Sequence, residues 1–449
     1  MPNWLLTSNR FPFLLFFASK APFQGMHRSN WILGSTSLAS KLGDFILFLP
    51  PTFNKPPFHH CMIDTQKKAA TALGKAADVL IIADSEHSAD MLYATGMFVP
   101  DPFIYLRLKG REYLCMSDLE WDRAAKEAPH CEILSLTRIQ GLLKKQGMDK
   151  AGWGEVAAWI LQKKRVTSIA VPNTFPLKMA QVISQRIPKI QLHARDVFPE
   201  RMIKTPKEVR LLGQALRMTE VGLKVAIRTL KQSKKGARSV LQWRGAALTS
   251  ERLRAVIHTA ICQEGGQASN TIVAGGNQGC DPHDRGSGPL KADVPIILDI
   301  FPRVETTGYF GDMTRTVVRG KASEAVRKQY AAVMEAQESA IHMARDGVSG
   351  HAIHEQVESV FATHGYQSGR VKGRMSGFFH GTGHGLGLEI HEWPRMGRHS
   401  SDIMRAGHVM TVEPGLYYHG TGGVRLEDVI LIRKGKPRIL SQFEKVLEI

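Results

Sequence analysis

The stretch His380-Gly-Thr-Gly-His-Gly-Leu-Gly-Leu-Glu-Ile-His391 sets three imidazoles among glycines at 381, 383, 385 and 387. A stable helix is excluded here, because each interior glycine costs about 1 kcal/mol relative to alanine. The composition predicts a glycine-rich turn in which backbone and ligand approach closely, with the histidines alongside. Its G-x-G fragments lack a βαβ setting and no G-x-x-x-x-G-K-[ST] occurs, which argues against a nucleotide loop. H-E-x-x-H is absent as well, so a helix-borne zinc site of the thermolysin kind is excluded.

Four neighbouring segments place carboxylates where core packing would not. Ile296-Ile-Leu-Asp-Ile300 holds an acid inside an apolar strand pattern, where an isolated charge costs several kcal/mol unless paired or metal-bound. Gly311-Asp-Met-Thr-Arg-Thr316 enters another β-branched stretch, and turn-tolerant residues around Gly308 allow a hairpin to bring Asp299 and Asp312 together. Val409-Met-Thr-Val-Glu-Pro-Gly415 and Val424-Arg-Leu-Glu-Asp-Val-Ile-Leu-Ile432 each put a glutamate on or at the end of an apolar strand. In the latter, a period of two predicts Arg425, Glu427, Val429 and Leu431 on one face. Glu427 is then the inward acid, and Asp428 is expected to be a solvated neighbour.

Taken singly, an Asp in or beside a strand is more often an ordinary turn or ion-pair residue. Four carboxylates converging in an apolar pocket could not all stay ionised, because like charges raise one another's pKa. Two divalent cations would cancel the four charges, and one imidazole would complete the set. Oxygen-rich ligands with a single histidine favour Mn, Co, Fe or Zn over copper, with manganese ahead on hardness. Such a pair, about 3.5–4 Å apart, activates water and clamps a carbonyl.

The rest of the chain frames these segments. Thr205-Pro206-Lys207-Glu208 predicts a helix start, with Thr205 as cap, Pro206 in the first turn and Glu208 closing a capping box. Val209, Leu212, Leu216 and Leu223 then form one apolar face. Two more helices are expected near 323–345 and 349–364, the second entered from Ser349 and closed by Gly365. Between 62 and 198, Val79-Leu-Ile-Ile-Ala, Phe103-Ile-Tyr-Leu-Arg-Leu with its turn Lys109-Gly110, and Ser168-Ile-Ala-Val-Pro read as strands separated by helices. This predicts a small α/β domain with no catalytic cluster of its own.

Residues 1–61 differ: they hold nine of 19 phenylalanines, seven of 22 prolines and a single acid, Asp44. The apolar run Phe11 to Ala18 after Arg10 suggests an export signal, but it is short, contains Pro12 and lacks a small-x-small cleavage site. The preferred reading is a poorly ordered, non-native leader before Met62.

A length of 449 residues, 43% hydrophobic and 22% charged, fits a soluble globular chain of about two or three domains. No apolar run approaches the roughly 20 residues of a membrane span. The net charge of +18 comes from 59 Lys+Arg against 41 Asp+Glu, dispersed without an arginine-rich arm. We read it as a solvated basic surface, with no nucleic-acid partner expected. Cys61, Cys115, Cys131, Cys262 and Cys280 are odd in number and form no C-x-x-C, so reduced thiols in the cytoplasm are expected.

In chain order, Asp299, Asp312 in Gly-Asp-Met-Thr-Arg-Thr, His384 in His-Gly-Thr-Gly-His-Gly-Leu-Gly, Glu413 in Thr-Val-Glu-Pro-Gly and Glu427 in Arg-Leu-Glu-Asp resemble the aminopeptidase P/prolidase/creatinase superfamily of pita-bread fold. The motifs span roughly 258–432, and Arg201-Met-Ile-Lys-Thr-Pro-Lys-Glu is similar to that family's lead-in to the catalytic domain. The resemblance implies an α/β amino-terminal domain at 62–198 followed by an α+β pita-bread catalytic domain at 199–449. It implies a homodimeric Xaa-Pro aminopeptidase whose substrate is a peptide with proline in second position. Asp299 would chelate one metal, His384 and Glu413 the other, and Asp312 and Glu427 would bridge them. Glu413 would also be the base. His283, in Asn277-Gln-Gly-Cys-Asp-Pro-His, and His391 would contact the substrate carbonyl. His380 would lie beside the proline ring, and Arg425 would orient a ligand carboxylate.

There are departures. Asp299-Ile-Phe-Pro-Arg303 replaces the small residue and glycine common after the first ligand, and the Asp299–Asp312 interval is longer than in typical aminopeptidase P sequences. A prolidase restricted to dipeptides therefore stays open, as does a hydrolase or lyase acting on a small non-peptide substrate. Methionine aminopeptidases usually lack the extra α/β domain, and creatine hydrolysis on this fold proceeds without metal. A non-enzymatic binding protein on the same scaffold would be expected to lose ligands.

Overall fold

A computed structural model describes residues 78–449. The leader expected at 1–61 and the start expected at Met62 lie outside the described residues.

The amino-terminal part is built on a six-stranded mixed sheet. Its order is Cys131–Ser135, Arg111–Met116, Phe103–Leu108, Val79–Ala83, Ser168–Val171, Gln191–Ala194. Alternate side chains of the inner strands serve two cores. Leu80, Ile82, Ile104 and Leu106 face Val156, Ile160 and Leu161 of the helix Trp153–Lys163. Val79, Ile81, Phe103 and Tyr105 face Met91, Ala124 and Phe198. Burial on both faces explains why these strands read as continuous apolar runs. Lys109 and Gly110, both at positive φ (49° and 78°), make the tight turn of the first hairpin.

Past residue 199 two sheets are each backed by a pair of helices, the α+β pita-bread arrangement. The helix Pro206–Gln232 starts with the Thr205/Glu208 capping box. With Ser250–Gln263 it covers the three-stranded sheet Ile272–Gly275, Pro295–Ile300, Met313–Val318 through Leu223, Leu253, Ile257, Val273 and Leu298. Glu324–Met343 and Gly350–Thr363, capped by Ser323 and Ser349, cover the five-stranded sheet Glu392–Met396, Gly383–Gly385, Val409–Val412, Asp428–Leu431, Arg438–Ile439 through Val333, Ile353, Met410 and Ile430. A smaller apolar cluster joins the two parts of the chain, with Ala89 and Leu92 packed among Leu212, Tyr309, Leu386, Leu388 and Val409. Among the described residues no helix is long and apolar enough to cross a membrane.

Two expectations are corrected. The glycine-rich stretch is a turn only in part: Gly383–Gly385 is a short strand antiparallel to Glu392–Met396, with Gly385 paired to Met410, while 387–391 is the bend that the composition predicts. A Cβ on Gly383 would lie 2.0 Å from the Thr411 carbonyl oxygen, and one on Gly385 would lie 2.4 Å from that of Trp393. These glycines let strand backbones approach one another. The second correction concerns 424–432, which is not one alternating strand. Gly422–Arg425 and Asp428–Leu431 belong to different sheets, with Leu426 and Glu427 bridging the break. Asp428 is buried rather than solvated, held by Arg315 at 2.9 Å and Lys445 at 2.7 Å.

Candidate active site

Asp299 stands on the central strand Pro295–Ile300, opposite Thr314 of the antiparallel neighbour Met313–Val318. Asp312 immediately precedes that neighbour. Thr314 ties the strand to the 424–432 segment: its carbonyl accepts from the Glu427 N–H at 3.1 Å, and its hydroxyl donates to Glu427 Oε2 at 2.8 Å. The hydroxyl also accepts from Arg425 Nε at 3.3 Å. Behind them Arg315, 1% exposed, donates to the carbonyls of Thr314 and Glu427 and to Asp428. The bend at Leu426–Glu427 thus turns Glu427 inward while Asp428 neutralises the arginine that braces it.

The second sheet supplies His384 and, at the end of Val409–Val412, Glu413. Asp312, His384 and Glu427 each offer a ligand atom within 4.8 Å of the others. Nε2 of His384 lies 3.2 Å from Glu413 Oε1 and 3.8 Å from Asp312 Oδ2. Thr411 fixes this edge, accepting from the His384 N–H at 3.0 Å and donating to Glu413 Oε1 at 3.4 Å. On the first sheet, Asp299 is held through Oδ2 by Arg425 at 2.7 Å.

The electrostatics are those of an overcrowded acid cluster. Burial, then the charges of Glu427, Asp299 and Glu413, push Asp312 well above the usual carboxylate range. Glu427 is raised by burial, Glu413 and Asp299. Burial also raises Asp299, with Arg425 pulling the other way. Glu413 ends low, at about 2, because its hydrogen bond and charge pairing with His384 outweigh burial.

This donor set fits divalent cations. Asp299 Oδ1 and Glu427 Oε1 are buried without a hydrogen-bond partner, which costs about 1–3 kcal/mol per neutral group and more for a charged one. With Nδ1 of His384 directed at the Gly385 carbonyl, 3.1 Å away, the Nε2 lone pair would face two carboxylates. Either a proton or a cation must stand between them.

The other sequence candidates surround this cluster. The His391 ring packs edge-on against His384 with centroids 4.5 Å apart. Burial, aided by His384 and Arg395, lowers it to about 4. His380 comes down to a similar value through burial and the Arg425 charge, outweighing Glu413. His283 is exposed, and its charge works in the lowering direction on both rings. Tyr417 escaped the sequence reading. Its buried hydroxyl takes a hydrogen bond from Arg425 Nη1 at 3.0 Å and meets His380 Nε2 at 2.9 Å, while His380 Nδ1 faces the Gly381 carbonyl at 2.8 Å. Nothing in its spacing marked it; the ring folds back over Gly415, where a Cβ would come within 2.4 Å of the hydroxyl. Thr314 was inside a quoted motif, but only the fold shows that it joins both strands.

The sequence signature of metallopeptidase family M24 matches residues 210–434, half of the chain. The chain belongs to metallopeptidase family M24. It is therefore a hydrolase of the metal-dependent peptidase class. Among curated relatives, the Xaa-Pro dipeptidase of Pyrococcus horikoshii is 27% identical over 290 residues, covering 63% of this chain and 75% of the relative. That of Pyrococcus furiosus is 28% identical over 250 residues, covering 55% and 65%. Among solved structures, the X-Pro aminopeptidase of Thermotoga maritima superposes with a TM-score of 0.70 at 23% identity, over 85% of this chain and 99% of that one. The Xaa-Pro dipeptidase of Bacillus anthracis gives 0.71 at 21% identity, over 86% and 100%. These likenesses establish the M24 fold, including the α/β part that precedes the matched region.

Proposed function

We propose that this M24 enzyme cleaves the peptide bond between an amino-terminal residue and a following proline, as an Xaa-Pro aminopeptidase with two divalent ions, manganese for preference. The observation that carries the reading is the meeting of Asp312, His384 and Glu427 within ligating distance, with Glu413 on His384 and Asp299 on Arg425. The names of the relatives support the proline preference. In this reading the chain divides into an α/β domain at 62–198 and a catalytic domain at 199–449.

Asp299 would hold one ion, His384 and Glu413 the other, and Asp312 and Glu427 both. Bound there, the ions would supply Lewis acidity toward water and the scissile carbonyl. The protein's own groups do the rest. Glu413, kept ionised and fixed by Thr411, takes the proton of the attacking water and returns it to the leaving proline nitrogen. His391 and His283 donate to the carbonyl oxygen as charge builds on it. A neutral imidazole can still donate one N–H. His380 has both nitrogens engaged, by Tyr417 and by the Gly381 carbonyl, so it offers its ring face as a wall for the proline ring.

The deciding experiment compares Mn-reconstituted wild type with Glu413→Gln on Xaa-Pro dipeptides and on longer Xaa-Pro peptides. Turnover of the longer peptides, reduced about 10²–10⁴-fold by Glu413→Gln, is the expected result. Cleavage of dipeptides alone would instead establish a prolidase, the reading that the names of the Pyrococcus relatives favour. Metal-loaded protein inactive on both would overturn the proline preference.

A further inference from the structure

The lead-in Arg201-Met-Ile-Lys204 does more than join two parts of the chain. Arg201 donates through Nη1 to Asp90 at 2.6 Å, and Nη2 reaches both Glu389 and Glu392 at 2.7 Å. Lys204 pairs with the other oxygen of Glu392. Glu392 is buried at 6% exposure and also accepts from the N–H groups of Leu388, at 2.9 Å, and Glu389, at 3.2 Å. Its carboxylate lies directly on Gly387, where a Cβ would be 2.5 Å from both oxygens. One side chain therefore closes the loop 387–392 upon itself, and His391 is the residue next to it.

The same loop is held from another side. The Phe310 N–H donates to the Gly387 carbonyl at 2.9 Å. Phe310 belongs to the lengthened hairpin after Asp299, whose Arg303 donates to the Glu86 carbonyl at 2.8 Å and lies over the Phe98 ring at 5.5 Å. Asp90, Glu86 and Phe98 all come from the amino-terminal part. Glu389 is exposed, so its pairing is worth little. Glu392 is enclosed, and a carboxylate there is tolerable only while both cations stay in place.

We propose that Arg201, acting with Lys204 through Glu392, is a positioning residue for His391, and that it ties the placement of that imidazole to the amino-terminal part through Asp90. The proposal deepens the peptidase reading above and rests on it wherever turnover is the readout.

The test uses the full Mn-loaded chain as Arg201→Ala, Arg201→Lys and Asp90→Asn. It follows metal content, kcat and KM on an Xaa-Pro peptide, and hydrogen exchange at the Leu388 and Glu389 amides. With metal content unchanged, Arg201→Ala should lower kcat by about tenfold or more while KM stays within about threefold, since misplacement costs rate. The two amides should exchange about tenfold faster as the loop opens locally. Arg201→Lys should restore most of both, and Asp90→Asn should move both in the direction of Arg201→Ala. Unchanged kcat and exchange in metal-loaded Arg201→Ala would overturn the proposal, and so would a loss of kcat that merely follows a loss of metal. If Arg201→Ala does not fold, Asp90→Asn decides on the same readouts. If wild type itself fails to cleave Xaa-Pro peptides, the functional reading falls and amide exchange alone decides: no acceleration ends the proposal.

Discussion

Arg425 donates through Nη2 to Oδ2 of Asp299 at 2.7 Å, while the other oxygen of that carboxylate has no hydrogen-bond partner. The guanidinium fixes one oxygen and leaves the other aimed and available. A buried acid with one oxygen tethered and one bare is the arrangement expected of a metal ligand with an orienting partner. Substituting Arg425→Met should weaken manganese affinity by about 10–100-fold, measured by competition with a chromogenic chelator. Unaltered affinity would remove Arg425 from that role.

His391 is placed against His384 but outside the acid cluster. His391→Ala should lower turnover by about 10²–10³-fold, the scale of a lost oxyanion donor, with metal content by elemental analysis near that of wild type. Stripped metal together with lost turnover would mean that the ring serves the ligand set instead.

Gly383 offers a purely steric check. An alanine methyl would sit 2.0 Å from the Thr411 carbonyl oxygen, and backbone on that strand cannot swing aside as a side-chain tip does. Gly383→Ala should destabilise the fold by about 3 kcal/mol or more, at or beyond the usual range for overpacking. Gly435→Ala, where nothing lies within 4 Å, should be nearly silent in the same melts. Equal melting temperatures for the two variants would contradict the strand assignment.

The Glu392 pairings predict acid sensitivity of definite sign. Burial alone would raise this carboxyl, but Lys204 and Arg201 outweigh it and hold the folded-state value below the ordinary glutamate range. Its contribution is thus present above that range and is lost as pH falls through the lower folded value. Urea midpoints of wild type should drop over that interval. Glu392→Gln should flatten that part of the profile and sit about 3–5 kcal/mol lower at neutral pH, because two cations lose their buried partner.

The sequence was most informative where chemistry and packing conflict. A carboxylate within Ile296–Ile300, or a glutamate closing Val409–Val412, says little by itself, and it was the set of acids taken together that marked Asp299 and Glu413 as candidates. Reading failed where a pattern assumed continuity. The period of two through 424–432 ignored a change of sheet at Leu426–Glu427, and so misjudged Asp428. One of its partners, Arg315, is far away in sequence, and nothing local announces that contact. The glycines at 383 and 385 were read as room for a ligand, when the neighbouring strands supply the crowding. Tyr417 and Glu392 carry no pattern of their own; each matters through partners supplied by other segments.

The small apolar cluster containing Ala89, Leu92, Tyr309 and Leu388 belongs to neither half alone. A shortened clone beginning at residue 199 would still encode every proposed ligand, yet it would carry a bare greasy notch beneath the loop that bears His391. The amino-terminal part in effect supplies the side chains that keep this apolar patch of the later segment out of water. Anyone trimming this enzyme to a minimal version should expect insoluble protein rather than a faster one.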